Sequence, residues 1–98
     1  MTYDVELTST FKAWLDGLTD QRGQRAIAIR LFRAEQGLLG VNRSLGNGIS
    51  EMKIDVGPGY RLYYTIRGQT VLFMLHGGDK STQKRDVKTA RKLAEGIP

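Results

Sequence analysis

The stretch Ile49-Ser50-Glu51-Met52-Lys53-Ile54-Asp55-Val56-Gly57-Pro58-Gly59-Tyr60-Arg61-Leu62-Tyr63-Tyr64-Thr65-Ile66 decides the fold. Its apolar period is two. Met52, Ile54 and Val56 alternate with Glu51, Lys53 and Asp55, and Leu62, Tyr64 and Ile66 alternate with Arg61, Tyr63 and Thr65. Successive strand side chains point to opposite faces, so the pattern predicts two strands, each with one buried face. Ile49 falls outside the first register, which predicts a bend near Gly48. Gly57-Pro58-Gly59 suits a type II turn, with proline at the first central position and glycine at the second. Strands joined so tightly are antiparallel.

Working toward the C-terminus, Arg67-Gly68-Gln69 predicts a second hairpin turn. Thr70 to Leu75 is nearly all apolar, as in a central strand covered on both faces. Gly77-Gly78 is expected to break that strand. Asp79 or Ser81 then caps a last helix ending near Gly96, with a narrow apolar stripe of Val87, Ala90 and Leu93 or Ala94.

Working toward the N-terminus, Val41 to Leu45 reads as an edge strand. Asp20 caps a helix running to about Gln36, with an apolar face of Ile27, Ala28, Leu31 and Phe32 and with Ala34 at its margin. Gly37 suits the left-handed position that ends a helix. Before it, Phe11, Trp14, Leu15 and Leu18 mark one face of a shorter helix behind the cap residues Thr8-Ser9-Thr10, and Tyr3 to Leu7 alternates as a first strand. The expected architecture is a single α+β domain over residues 1–98, a small antiparallel sheet with an N-terminal helical hairpin and a C-terminal helix.

Composition narrows the chemistry. The chain has no cysteine and one histidine, His76, so thiolate metal sites, disulfides and cysteine nucleophiles are excluded and no metal or other cofactor is expected. No apolar run is long enough to span a bilayer and the N-terminus lacks a signal-peptide layout, which predicts a cytoplasmic protein with no membrane partner. Fifteen Lys and Arg against ten Asp and Glu give a formal charge of +5, favouring a polyanionic partner.

Two runs carry a family resemblance. Ser50-Glu51-Met52-Lys53-Ile54 with Gly57-Pro58-Gly59-Tyr60-Arg61-Leu62-Tyr63-Tyr64, followed by Gly77-Gly78-Asp79-Lys80-Ser81-Thr82-Gln83, resemble the signatures of addiction-module killer proteins. These are the HigB-like, phage-derived Gp49-like branch of the RelE/ParE toxin superfamily, and Phe11 to Leu15 is similar to their first helix. The resemblance spans essentially the whole chain. It implies a RelE-like fold and a toxin whose partner is a cognate antitoxin, commonly a helix-turn-helix protein. It also implies a target: mRNA cut on the ribosome, as in most RelE and HigB relatives, or DNA gyrase, as in ParE relatives.

Metal-free RNA cleavage needs an aligned 2′-hydroxyl, a proton acceptor, cations for the phosphorane charge and help for the leaving oxygen. Arg61 is the leading catalytic candidate, because its planar fork matches phosphate oxygens; the alternative is a surface Arg paired with Glu51. Lys53 could stabilise the phosphorane or accept a proton, or be a solvated strand lysine. Glu51 is a candidate base, although neighbouring cations would weaken it and favour a salt-bridge role. Lys80, just before the last helix, could join free N–H groups in holding a phosphate, or follow residues that merely cap the helix.

RNA-binding candidates are Tyr63 by stacking on a base, His76 as a titratable group, and Lys84, Arg85 and Lys88 on the last helix. Strand parity places His76 beside Leu72 and Met74, where a packed histidine is an equal reading. The nuclease reading fails if the Arg61 guanidinium is sealed inside the protein and remote from the Lys53 ammonium, with no open basic hollow between them.

Overall fold

The computed structural model describes residues 2–98. Along the chain lie β1 (Asp4–Leu7), α1 (Ser9–Asp16), α2 (Gln21–Glu35), β2 (Asn42–Gly46), β3 (Ile49–Ile54), β4 (Tyr60–Arg67) and β5 (Val71–Asp79). A 3₁₀ turn (Lys80–Thr82) and α3 (Gln83–Glu95) follow. The strands form one sheet in the order β1-β5-β4-β3-β2. The pairs β2–β3, β3–β4 and β4–β5 are antiparallel as expected, but β1 joins β5 in parallel, from Asp4 opposite Val71 to Leu7 opposite Met74, so the sheet is mixed. Among the described residues no helix is long and apolar enough to cross a membrane.

Each face of the sheet builds its own core. On one, Met52, Ile54, Leu62, Tyr64, Leu72 and Met74 pack with Phe11, Ile27 and Ala34 of the N-terminal helices. On the other, Ile49, Tyr63 and Leu75 pack under Ala90 and Ala94 of α3. Both faces of β4 and β5 are therefore covered, which is why their runs are so apolar. This also corrects the reading of Ile49. No bend displaces it; it shares the α3 face with Glu51 and Lys53, and it is buried there.

The first turn closes one residue earlier than its sequence suggests. Gly59 N–H donates to Val56 C=O at 3.1 Å, placing Gly57 and Pro58 at its centre, and β3 already ends at Ile54. The second hairpin pairs Arg67 with Val71, so its loop is three residues long, Gly68 to Thr70, with Gly68 and Gln69 both at positive φ.

Caps and long-range bonds fix the helices. Thr8 Oγ1 accepts from Phe11 N–H at 3.0 Å and donates to Leu75 C=O at 2.7 Å, tying α1 to β5. Asp20 Oδ1 accepts from Gly23 N–H and its Oδ2 accepts the Tyr60 hydroxyl at 2.7 Å. Gln24 Nε2 donates to the carbonyls of Leu15 and Leu18, closing the helical hairpin.

The rotation of α2 departs from its apolar pattern: Gly23, Ile27 and Ala34 are buried, whereas Ala28 and Phe32 face solvent. Two anchors account for this. Gly23 lies so close to Tyr60 that a Cβ would sit 2.6 Å from its ring, and Arg30 must reach inward to the carbonyls of Lys53 and Leu39, at 2.7 and 2.8 Å.

The Gly77-Gly78 pair does not break β5, which runs on to Asp79. A Cβ at Gly77 would overlap the Trp14 ring of α1, and one at Gly78 would overlap the Asp86 carboxylate of α3. These glycines serve close approach of side chains from both faces, not a turn. Gly77→Ala should therefore lower the unfolding free energy by about 1–3 kcal/mol through overpacking, read as a fall in urea midpoint at unchanged m; a midpoint equal to wild type would refute the close packing.

Candidate nucleic-acid interface

The α3 face carries a polar layer at the end of the sheet where α3 begins. Across the first hairpin Glu51 is opposite Tyr63 and Lys53 is opposite Arg61; across the second, Tyr63 is opposite His76 and Arg61 is opposite Gly78. His76 belongs here because of a β-bulge. Tyr63 pairs with His76 but Tyr64 pairs with Met74, so Leu75 is an extra residue that resets parity. The expectation that His76 shares a face with Leu72 and Met74 is thereby corrected.

The carboxylates of this layer are already engaged. Glu51, fully buried, accepts Arg43 Nε at 2.6 Å and Gln83 Nε2 at 2.9 Å. It is a structural ion-pair partner rather than a base open to substrate. Asp86 accepts from the Thr82 hydroxyl, lies 3.1 Å from His76 Nε2 and faces Arg85 Nε at 3.7 Å. That contact holds the first turn of α3 against β5.

Arg61 is different. It is 5% exposed, yet no carboxylate pairs with it among the described residues. Its guanidinium makes one hydrogen bond there, from Nη1 to the Tyr60 carbonyl at 3.2 Å, and its Nε is buried without a partner. The expected alternative, a surface pair with Glu51, is overturned because Arg43 and Gln83 saturate that carboxylate. Lys53, half-buried, is opposite Arg61 in the ladder. Its backbone is held on both sides: its N–H donates to Val41 C=O at 2.9 Å and its C=O accepts Arg30 Nη1.

Lys80 is exposed, with its stem along Gly59, two residues before Arg61. The anion site expected at the N–H groups around it is closed, because Lys80 N–H donates to Gly59 C=O and Ser81 N–H to the Asp79 carboxylate. Only the ammonium remains for a phosphate. Lys84, Arg85 and Lys88 are exposed on α3 as expected. A hollow of about 620 Å³ opens between β2 and α3, lined by Arg43, Leu45, Lys80, Ser81, Gln83, Lys84, Val87 and Lys88. Four of these are cations and none is a carboxylate. Its lining excludes Arg61 and Lys53, so the basic hollow expected between that pair is not found there, and Arg61 is nearly sealed; the cationic hollow lies instead between β2 and α3.

Tyr63 cannot stack on a base in this structure, since it is fully buried in the second core. Its hydroxyl has no partner, and burial, reinforced by Glu51 and Asp86, pushes its pKa upward. Nothing in an alternating strand announces that α3 covers this face too, so Tyr63 and Glu51 read as exposed in the sequence. Gln83, Arg43 and Asp86 escaped notice because their roles arise from long-range pairing.

With the geometry in view, comparison with known proteins defines the class. A tertiary-structure match of TM-score 0.65, at 25% identity over 82% of this chain and 100% of the other, is to the toxin–antitoxin complex RelBE2 of Mycobacterium tuberculosis. A second, of TM-score 0.69 and 19% identity over 90% of this chain and 97% of the other, is to a mutant of the E. coli toxin RelE in the free state, and speaks for the fold alone. The chain is a member of the RelE-like toxin superfamily. Residues 13–95 match the model of the phage-derived Gp49-like proteins, and the chain belongs to that family. An uncharacterized protein of Haemophilus influenzae is 40% identical over 97 residues, covering 99% of this chain and 98% of that one.

Three tyrosines supply a prediction in pH. Burial raises the pKa of Tyr60, Tyr63 and Tyr64, with Asp20 helping to carry Tyr60 to about 12. The unfolded side chains ionise near ~10, so this stability is intact below that pH and is lost as pH climbs through the folded values. Urea titrations from neutral to strongly alkaline pH, with tyrosinate absorbance followed in parallel, should show the loss. Tyr63→Phe should cost nothing at neutral pH and add up to about 1 kcal/mol, because its hydroxyl is unsatisfied; a clear destabilisation would show a bonded hydroxyl instead.

Proposed function

We propose that this chain is the toxin of a toxin–antitoxin pair and a metal-independent endoribonuclease that cuts mRNA on the ribosome. The observation that carries the reading is the hollow between β2 and α3, with four cations and no carboxylate in its lining, on the sheet face that also holds the Arg61 guanidinium, unpaired by any carboxylate among the described residues. A buried cation without a counter-ion is costly to keep. An RNA phosphodiester is a counter-ion of the right shape for a guanidinium fork. The resemblance to toxins of the RelE type supports the same chemistry, and the RelBE2 relative is itself a complex with an antitoxin.

In this reading the cationic hollow guides the RNA backbone along α3 through Arg43, Lys80, Lys84 and Lys88, with Arg85 on the adjoining rim. Arg61 and Lys53 meet the scissile phosphate and stabilise the charge that builds as the 2′-oxygen attacks phosphorus and the 5′-oxygen departs. Lys53, opposite Arg61 in the ladder and with its backbone pinned, is the candidate to take the 2′-hydroxyl proton as a neutral amine and to face the phosphorane as the ammonium that results. Glu51 is a positioning residue that orients Arg43 and Gln83 in the wall. His76, tethered to Asp86, fixes the first turn of α3.

Toeprinting of mRNA under translation tests this with wild type and Arg61→Met. The variant should lose cleavage about a hundredfold or more, while its unfolding free energy stays level or rises by about 1 kcal/mol because an unpaired buried charge is gone. Cleavage undiminished in Arg61→Met would remove this residue from the chemistry. Intact mRNA beside stalled gyrase–DNA complexes from the wild type would replace the nuclease with a gyrase inhibitor.

A further inference from the structure

We infer that Gln83 selects the base seated in the cationic hollow between β2 and α3: its amide oxygen accepts from an exocyclic amino group, such as that of adenine or cytosine, and disfavours uracil. The inference deepens the nuclease reading and rests on it for RNA as the substrate class, not for the orientation of the amide.

That orientation is set by chemistry. Gln83 Nε2 donates to Glu51 Oε2 at 2.9 Å, and Glu51 Oε1 is ion-paired with Arg43 Nε at 2.6 Å. An ion-paired carboxylate only accepts hydrogen bonds, and of the two ends of a side-chain amide only the NH₂ donates. The nitrogen and oxygen of Gln83 therefore cannot exchange places without losing this bond and setting oxygen against oxygen. Glu51 is held in turn, since it is fully buried and bonded at both oxygens. With Nε2 committed, Oε1 is what the amide has left to offer. No donor among the described residues bonds it, and Gln83 is half-buried in the lining of the hollow. The hollow thus carries one oriented acceptor among its cations.

The rest of the lining suits a nucleotide. Leu45 and Val87 are its apolar members, both packed against the second core. Arg43, Lys80, Lys84 and Lys88 are its cations, and no carboxylate joins them. A nucleotide has the same division, with apolar faces on the base and negative charge on the backbone. The volume of about 620 Å³ lies within the range of roughly 300–1,000 Å³ usual for ligand sites. A bare phosphate or carboxylate would answer the cations but would be repelled by the Gln83 oxygen. A base edge that carries an N–H finds a partner in it. The amino groups of adenine and cytosine project from the base edge as donors, whereas uracil has a carbonyl in that place. The one N–H on the uracil edge is recessed between two oxygens that the Gln83 oxygen would oppose.

The test measures fluorescence anisotropy of short labelled 2′-O-methyl oligonucleotides, which lack the attacking hydroxyl and so cannot be cut. One carries adenine, one uracil, and one purine, which is adenine without its amino group. The full chain should bind the adenine oligomer about three- to tenfold more tightly than either of the others. Gln83→Met keeps the length of the side chain without its acceptor and should make the three affinities equal. Glu51→Gln lets the neighbouring amide turn over, because a glutamine there both donates and accepts, and should shrink the preference with Gln83 still in place. Lys84→Ala with Lys88→Ala should weaken all three oligomers in parallel and flatten their salt dependence, with the preference kept. The ratio of adenine to purine affinity in the wild type requires no variant to fold. Equal binding of adenine and purine oligomers by the wild type would overturn the inference. So would Gln83→Met weakening all three together with the ratios intact, the mark of a purely structural residue. A preference of the expected kind in a chain that leaves translated mRNA intact would remove the nuclease reading and keep the base-reading amide. Cleavage on the ribosome by a chain whose binding ignores the amino group would do the reverse.

Discussion

Everything on the polar side of this protein depends on how closely β5 is gripped at Gly77 and Gly78. Trp14 presses on the strand from the face of α1 and the Asp86 carboxylate from the face of α3. Any side chain at either position would push one helix away. With both glycines in place, Asp86 reaches His76 and Thr82 together, and the first turn of α3 is fixed over the sheet. Gln83 then reaches Glu51 on the far side of β4, and Glu51 in turn holds Arg43 on the edge strand. A contact of backbone with ring and carboxylate thereby sets the wall of a cationic hollow some strands away.

The two faces of the sheet divide the work of stability and function. The face under α1 and α2 is filled by aliphatic and aromatic side chains, with Tyr60 bonded to Asp20, and its one buried side-chain atom without a partner among the described residues is Arg30 Nε. The face under α3 keeps Arg61 Nε, Tyr63 Oη and His76 Nδ1 buried without partners. Each unsatisfied group costs about 1–3 kcal/mol, a large fraction of what a domain of this size has in hand. Such costs persist where a site needs them, and all three groups lie on adjoining positions of one ladder. The first face can carry that deficit because its packing is complete.

Most of the architecture was legible in local pattern. The alternation around Lys53 and Arg61, the caps at Thr8 and Asp20, the left-handed Gly37 and the stripe of Ala90 and Ala94 each act within a few residues, so the sequence displays them directly. What escaped was decided by partners distant in the chain. Pairing of β1 with β5 joins residues far apart, and no period encodes it. The bulge at Leu75 turns His76 over and leaves no mark in a run of apolar residues. The rotation of α2 answers to Tyr60 and to the carbonyls met by Arg30, not to its own hydrophobic stripe. At the site, the depth of Arg61, Glu51 and Tyr63 followed from α3 lying on a face that alternation marks as polar.

Arg30 ties the loop after α2 to β3. Its Nη1 holds the carbonyl of Lys53 and its Nη2 holds those of Leu39 and Val41, while Val41 C=O also accepts the Lys53 N–H. Desolvation lowers the pKa of this guanidinium, and Arg33 nearby adds to the effect, yet the group stays charged at any physiological pH. Its three carbonyl bonds are charge-assisted and geometrically demanding, because a planar fork cannot follow one acceptor without leaving another. The loop after α2 and the strand bearing Lys53 are thus held to one planar group, so the position of the Lys53 backbone depends on a residue of the opposite layer that lies 23 positions earlier in the chain.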